Sequence, residues 1–195
     1  MIIFQLLFFL VGLTAPLWGS AVTSHATVYF SPEDHLDKRL IEQIDKETKS
    51  IHVCIYTFTH RAIADALVEA KKRGVEVEVI VDRFSVKIKA PLQRLVDAGI
   101  PVFVWDPDRH KRKIAQRPLM HNKFCVFTDK VWTGSFNFTS EASGIHQENA
   151  LVLQDAALAS AYKGQFYTIK LRSCIPLSSY LAMRPKKKMS AGRKK

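Results

Sequence analysis

The chain has 195 residues, of which 47% are hydrophobic and 24% charged, and a formal net charge of +11 from 29 Lys and Arg against 18 Asp and Glu. That composition excludes a disordered, collagen-like or low-complexity protein and leaves one compact domain as the expectation. Seven of the eleven net charges lie in residues 184–195, so the basic balance, which points to a polyanion such as nucleic acid or an anionic lipid surface, is carried mainly by a tail.

Met1 to Trp18 is a nearly unbroken apolar run, and the first charged residue is Glu33. The run is short for a spanning helix, which needs about 20 residues, and Pro16 shortens it further. Small residues follow at Gly19, Ser20 and Ala21 and again at Ser24 and Ala26, a pattern suited to cleavage after Ala21 or Ala26. Residues 1–26 are therefore expected to be a secretion signal, with export or a periplasmic location, or a retained N-terminal membrane anchor. Residues 27–183 are expected to form one folded domain and 184–195 a basic disordered tail. Cys54, Cys125 and Cys174 are odd in number and lack CxxC spacing, which argues against a disulfide framework and a zinc ribbon.

Beyond the leader, Ser31-Pro32-Glu33-Asp34 predicts a helix start with Ser31 as N-cap, followed by the apolar stripe Leu36, Leu40, Ile41 and Ile44. Ile51, Val53 and Ile55 alternate in a β-branched run, which predicts a strand ending near Phe58. A helix follows from Thr59 through Ile63, Ala66, Leu67 and Ala70 to its stop at Gly74, and Val75 to Asp82 is the next strand. Leu92, Leu95 and Val96 mark a short helix stopped by Gly99, with Ile100 to Val104 as a strand. Asp106 to Met120 loses the apolar pattern and crowds Arg109, Lys111, Arg112, Lys113 and Arg117 into one loop. Phe124 to Phe127, a turn at Thr128-Asp129-Lys130, and Val131 to Thr133 read as two short strands; Ala150 to Leu153 is another, and Ala156 to Phe166 a closing helix. Strands separated by helices predict an α/β fold: a central mixed, largely parallel β-sheet flanked by helices.

The chemistry concentrates in His121-Asn122-Lys123, Gly134-Ser135-Phe136-Asn137 and Glu148-Asn149. On a strand His121 and Lys123 would face the same way, placing an imidazole beside an ammonium. Gly134 allows a tight turn in which Ser135 and Asn137 present a hydroxyl, an amide and backbone N–H groups. A neutral imidazole is a nucleophile, and such donors hold phosphate oxygens, so the set suits phosphoryl transfer through a phosphohistidine. HExxH, DxDG and Gly-rich phosphate-loop motifs are missing, so neither a metal nor a nucleotide cofactor is implied.

These residues resemble the phospholipase D superfamily, whose signature is His-x-Lys-x4-Asp followed by Gly-Ser and a nearby Asn. Tyr56-Thr57-Phe58, Ala66-Leu67, Lys72-Arg73-Gly74-Val75 and Ile80-Val81-Asp82 are similar to its smaller single-motif members, the bacterial secreted endonucleases and the mitochondrial cardiolipin hydrolase or nuclease. The resemblance runs from about Thr27 to Phe166 and implies the phospholipase D-like fold. It assigns catalytic roles to His121, Lys123, Ser135 and Asn137, with Glu148 orienting the imidazole. The family Asp is displaced: the fifth position after Lys123 is Thr128, and Asp129 either fills the role through a shifted turn or is a turn residue.

The expected activity is that of a metal-independent phosphodiesterase, foremost a nonspecific endonuclease whose basic loop, Arg109 to Arg117, binds the phosphate backbone. A phospholipase D acting on membrane lipids is the alternative enzyme, and a nucleic-acid or membrane-binding module without catalysis is the alternative class. A phosphohistidine route needs a second histidine, and the chain has one such motif. An identical chain would supply it in a two-fold homodimer sharing one active site.

Overall fold

The computed structural model describes residues 25–87, 89–107 and 118–183. The apolar leader, the basic loop residues Arg109, Lys111, Arg112, Lys113 and Arg117, and the basic tail lie outside the described residues. Within them the chain builds β1 (His25–Ser31), α1 (Leu36–Lys46), β2 (Ser50–Ile55), α2 (Arg61–Lys72), β3 (Glu76–Asp82), α3 (Lys89–Asp97), β4 (Val102–Trp105), β5 (Lys123–Val126), β6 (Lys130–Gly134), α4 (Ser140–Gly144), β7 (Glu148–Gln154), α5 (Ala156–Ser173), β8 (Cys174–Pro176) and α6 (Leu177–Ala182). None of these helices is long and apolar enough to cross a membrane. Cleavage after Ala21 would leave β1 whole, whereas cleavage after Ala26 would remove its first two residues.

One eight-stranded sheet, ordered β1-β7-β6-β5-β2-β3-β4-β8, forms the middle layer. Every residue of β2 is buried, as expected of a strand covered on both faces. On one face Ile51, Val53, Ile55, Val77, Val79, Val81, Cys125, Trp132 and Val152 pack against the apolar stripes of α1, α2 and α3. On the other, Cys54, Ile80, Phe124, Val126 and Val131 pack under Ala159, Phe166 and Ile169 of α5. The domain is thus a helix, sheet, helix sandwich, as its sequence pattern implies.

The sheet is mixed, but its parallel share is smaller than the expected majority. Only β2 with β3 and β3 with β4 pair in parallel, and these are the two connections that cross over through a helix, α2 and α3. The other five pairings are antiparallel. A tight turn at residues 127–129 forces β5 and β6 to reverse, and such turns cannot join parallel neighbours.

The helix expected from Ser31 begins instead at Leu36, after His35 in a left-handed conformation. Ser31 is the last residue of β1, and its hydroxyl is committed elsewhere: it donates to the His146 carbonyl at 2.8 Å and accepts from the Glu148 N–H at 3.1 Å. A side chain that looks like a local cap is thereby used for a tertiary link between β1 and β7.

Candidate active site

Strand direction decides where the candidate residues meet. β2 and β3 run the same way and end at Ile55 and Asp82. β5 runs against β2 with Lys123 opposite Ile55, so the start of β5 lies beside the end of β2. Pairing of Phe124 with Thr133 and of Gly134 with Ala150 brings the end of β6 and the start of β7 to that edge, and Ser31 opposite Glu148 adds the end of β1. Positions dispersed from 31 to 149 are thereby collected along the edge where open α/β sheets receive ligands, outside the carboxyl ends of the parallel strands.

His121 is exposed and lies just before β5 rather than within it. Its link to Lys123 runs through the backbone: the buried Lys123 ammonium donates to the His121 carbonyl at 2.8 Å. Tyr56 connects the two side chains. Its ring centroid is 4.5 Å from that of His121 and 5.3 Å from Lys123 Nζ, and the Tyr56 N–H donates to the Asn122 carbonyl at 3.0 Å. Burial holds the Lys123 pKa below the ordinary lysine value, and the Glu148 carboxylate only partly offsets it.

The second half of the site is centred on Ser135. Its hydroxyl donates to Glu148 Oε2 and accepts from the Asn149 N–H at 3.0 Å, while the Ser135 N–H donates to the Asn149 carbonyl at 3.0 Å. Gly134 permits this closeness. A Cβ there would overlap the Asn149 carbonyl oxygen and sit 2.9 Å from the Ala150 Cα. Beyond it, the Phe138 N–H donates to the Thr57 carbonyl at 3.0 Å, tying the loop that carries Asn137 to the exit of β2. Among the described residues the Asn137 Oδ1 is buried without a hydrogen-bond partner, as are one atom each of His52, His60 and Asp65. Among the described residues no hydrogen bond joins Glu148 to His121; the carboxylate is bound to Ser135 instead.

A family model described as "Cardiolipin synthase, PLD-like domain" matches residues 40–170, well over half of the chain. The chain belongs to the phospholipase D superfamily. It is 34% identical over 152 residues to the Phospholipase D of Rickettsia bellii (strain RML369-C), covering 77% of this chain and 71% of that protein. It is 31% identical over 140 residues to the Mitochondrial cardiolipin hydrolase of Xenopus laevis, covering 69% of this chain and 62% of that protein. The crystal structure of the phospholipase D family member Nuc from Salmonella typhimurium superposes with a TM-score of 0.67 at 29% identity, over 77% of this chain and 96% of that one. This phospholipase D superfamily member is accordingly a phospholipase D-type hydrolase, and the eight-stranded sandwich is its superfamily fold.

Asp129 is exposed in the turn at the opposite end of β5 from His121, with its carbonyl accepting from Gln154 Nε2 at 3.4 Å. It does not join the His121 cluster, and of the two readings the turn residue fits this position. Thr128, at the fifth position after Lys123, is held by a carboxylate from another element. The Thr128 hydroxyl and N–H donate to Glu47 at 2.7 and 3.0 Å, and Glu47 also accepts from the Thr48 and Lys49 N–H groups at 2.9 and 2.8 Å. Burial raises the Glu47 pKa, but the bonds from Thr128, Lys49 and Thr48 outweigh it and leave the carboxyl below its ordinary value.

Burial suppresses the cysteine thiols as nucleophiles. Cys54 and Cys125 are buried with their thiol pKa values raised, and Cys174 is pushed up to about 12 by burial despite Lys170. His52 lies under α5 against Phe166 and Tyr167, and His60 is paired with Asp37 at 3.4 Å. Tyr56 and Asn149 stand in the sequence motifs without a role, and Ser31, read there as a helix cap, is the residue of the cluster that the motifs leave out. Tyr56 follows the end of β2, and the sequence gives no sign that His121 lies beside it, because the β2–β5 pairing is long-range.

Proposed function

We propose that this superfamily member is a metal-independent phosphodiesterase that cleaves nucleic-acid backbone through a phosphohistidine on His121. The observation that carries the reading is the buried Lys123 ammonium fixed at 2.8 Å on the carbonyl of the exposed His121, a cation held beside a nucleophile. A phosphate bound there would have its charge offset by Lys123, with the Asn137 side-chain N–H₂ as a further donor to its oxygens. A ring nitrogen of His121 attacks phosphorus, the P–N bond forms as the P–O bond breaks, and an acid protonates the departing oxygen. Water, deprotonated by that same group, then attacks phosphorus and releases His121.

The acid is assigned to His121 of a second copy. Attack and departure are in line, so the two groups face each other across phosphorus, and a two-fold axis at the exposed His121 edge would supply the second from the same sequence. Nucleic acid is favoured as substrate by the net charge of +11 and by the motifs that resemble the single-motif bacterial secreted endonucleases. Lipid is the second reading, favoured by the relatives named phospholipase D and cardiolipin hydrolase. The apolar Met1 to Trp18 run, as export signal or anchor, would place either activity outside the cytoplasm or at a membrane.

Incubating the protein with plasmid DNA, RNA, and phosphatidylcholine or cardiolipin vesicles in EDTA separates these readings. Nucleic-acid cleavage that persists in EDTA and disappears in His121→Ala is the expected result; hydrolysis of vesicles alone would assign the lipid. Complete inhibition by EDTA, or full activity of His121→Ala, would overturn the mechanism. Mixing His121→Ala with wild-type chains under exchange should lower activity more than dilution does, and a strictly proportional fall would remove the shared site.

A further inference from the structure

Four consecutive residues leaving β3 each reach across to the two chain segments that carry Tyr56 and His121. Asp82 is fully buried; its Oδ2 accepts from the Met120 N–H at 2.9 Å and its Oδ1 from the Phe84 N–H at 2.8 Å. Arg83 pairs with Asp106 at 3.3 Å and donates to the Pro118 carbonyl at 3.2 Å. The Phe84 ring lies nearly parallel to that of Tyr56, with centroids 5.6 Å apart. Ser85, also buried, donates to the Tyr56 carbonyl at 2.7 Å and accepts from the Phe58 N–H at 3.1 Å.

We propose that Asp82 to Ser85 form a positioning bracket for His121, with Asp82 as its anchor. The Phe84 bond is a local Asx turn that one acceptor oxygen suffices to make. The second oxygen binds Met120, 38 residues away and immediately before His121, and this is the contact that explains an ionisable group in the core. On the far side the Tyr56 N–H holds the Asn122 carbonyl, so the peptide bearing the imidazole is fixed from both directions. The imidazole itself is exposed and takes its aim from that backbone and from the Tyr56 ring against which it lies. This inference rests on His121 as the nucleophile.

Asp82→Asn tests it selectively. Asparagine can keep the Asx turn through its one oxygen, but its amide N–H₂ then meets the Met120 N–H, donor against donor. A displacement near 1 Å of a catalytic group costs up to about 100-fold. With bis(p-nitrophenyl) phosphate as probe, kcat of the full chain should fall about 10- to 100-fold with KM within about twofold. Leu40→Ala, in the core of α1 and away from the site, should lose at least as much stability yet keep kcat within about twofold. A wild-type nuclear Overhauser effect between the His121 and Tyr56 rings should vanish in Asp82→Asn. Undiminished kcat in folded Asp82→Asn, or an equal loss in Leu40→Ala, would overturn the bracket. If the wild type hydrolyses no phosphodiester, the functional reading fails by itself, and retention of the ring contact in Asp82→Asn would separately refute the bracket. If Asp82→Asn does not fold, Ser85→Ala is measured with the same readouts and the same expectations.

Discussion

Replacing Gly134 with alanine tests whether close backbone approach, rather than turn flexibility, is what the site demands of this residue. The added Cβ would overlap the Asn149 carbonyl oxygen and meet the Ala150 Cα at 2.9 Å, so β7 must move away from β6. That movement stretches two bonds of 3.0 Å each, from the Ser135 N–H to the Asn149 carbonyl and from the Asn149 N–H to the Ser135 hydroxyl. At about 1 kcal/mol per bond and about 1–3 kcal/mol for overpacking, the cost is about 3–5 kcal/mol. A domain of this size loses about 2–4 °C per kcal/mol, so Tm should fall by roughly 6–20 °C. Urea unfolding should show a lower midpoint at unchanged m, together with reduced turnover, because the strained residues include Ser135 and its partner Glu148. Gly164→Ala is the control: Gly164 is exposed within α5 with nothing within 4 Å of the added Cβ, and alanine there should stabilise by about 0.5–1 kcal/mol. A loss below about 1 kcal/mol for Gly134→Ala would refute the steric argument.

Three further outcomes follow from other side chains. Glu47→Ala strips four donors of their acceptor and should cost about 2–4 kcal/mol by urea titration, with less than additive loss when combined with Thr128→Val. Because that turn is remote from His121, the folded variant should keep its kcat, and a large loss would restore a catalytic role to the turn. His52 has its pKa lowered by burial, then by Lys163 and Lys170, against Glu76 and Glu78. Its contribution to stability is complete above the ordinary histidine value of 6.5 and is lost as pH falls through the lowered value; His52→Leu should flatten that part of the stability–pH curve. Lys123, with its pKa lowered by burial, loses its proton earlier than an ordinary lysine as pH rises, so KM for a phosphodiester should climb on the alkaline side while an exposed lysine would still be charged; a flat KM there would exclude Lys123 from phosphate binding.

The local elements were legible where one periodicity spoke alone. Ile51, Val53 and Ile55 announce β2, and Ile63, Ala66, Leu67 and Ala70 followed by Gly74 announce α2, because burial on one face and a stop residue are written in adjacent positions. The site residues His121, Lys123, Ser135 and Asn137 stood out through motif order. What escaped was set by distant partners. β1 is mostly exposed, lacks a clean alternation, and exists because it pairs with β7. Ser31 carried every local mark of a helix cap, yet a long-range pair of hydrogen bonds claimed its hydroxyl. The short β8 and α6, packed at the β4 edge, have too few residues to show a period. The parallel majority was overestimated because helix-separated strands in the first half were extended to a second half in which β5 and β6 are joined by a turn.

Pairing of the first strand with the seventh also bears on when the enzyme can come into being during translation. Ser31 leaves the ribosome early, but the Glu148 N–H that its hydroxyl accepts from is 117 residues behind it. A nascent chain that has exposed His121 and Lys123 still lacks Glu148 and Asn149, the partners of Ser135, and β1 has no strand to join. Contacts of such separation are slow to close and form late. The edge that gathers these residues is therefore assembled only after Glu148 and Asn149 have been made, so a nascent chain stopped short of them carries His121 without the partners of Ser135.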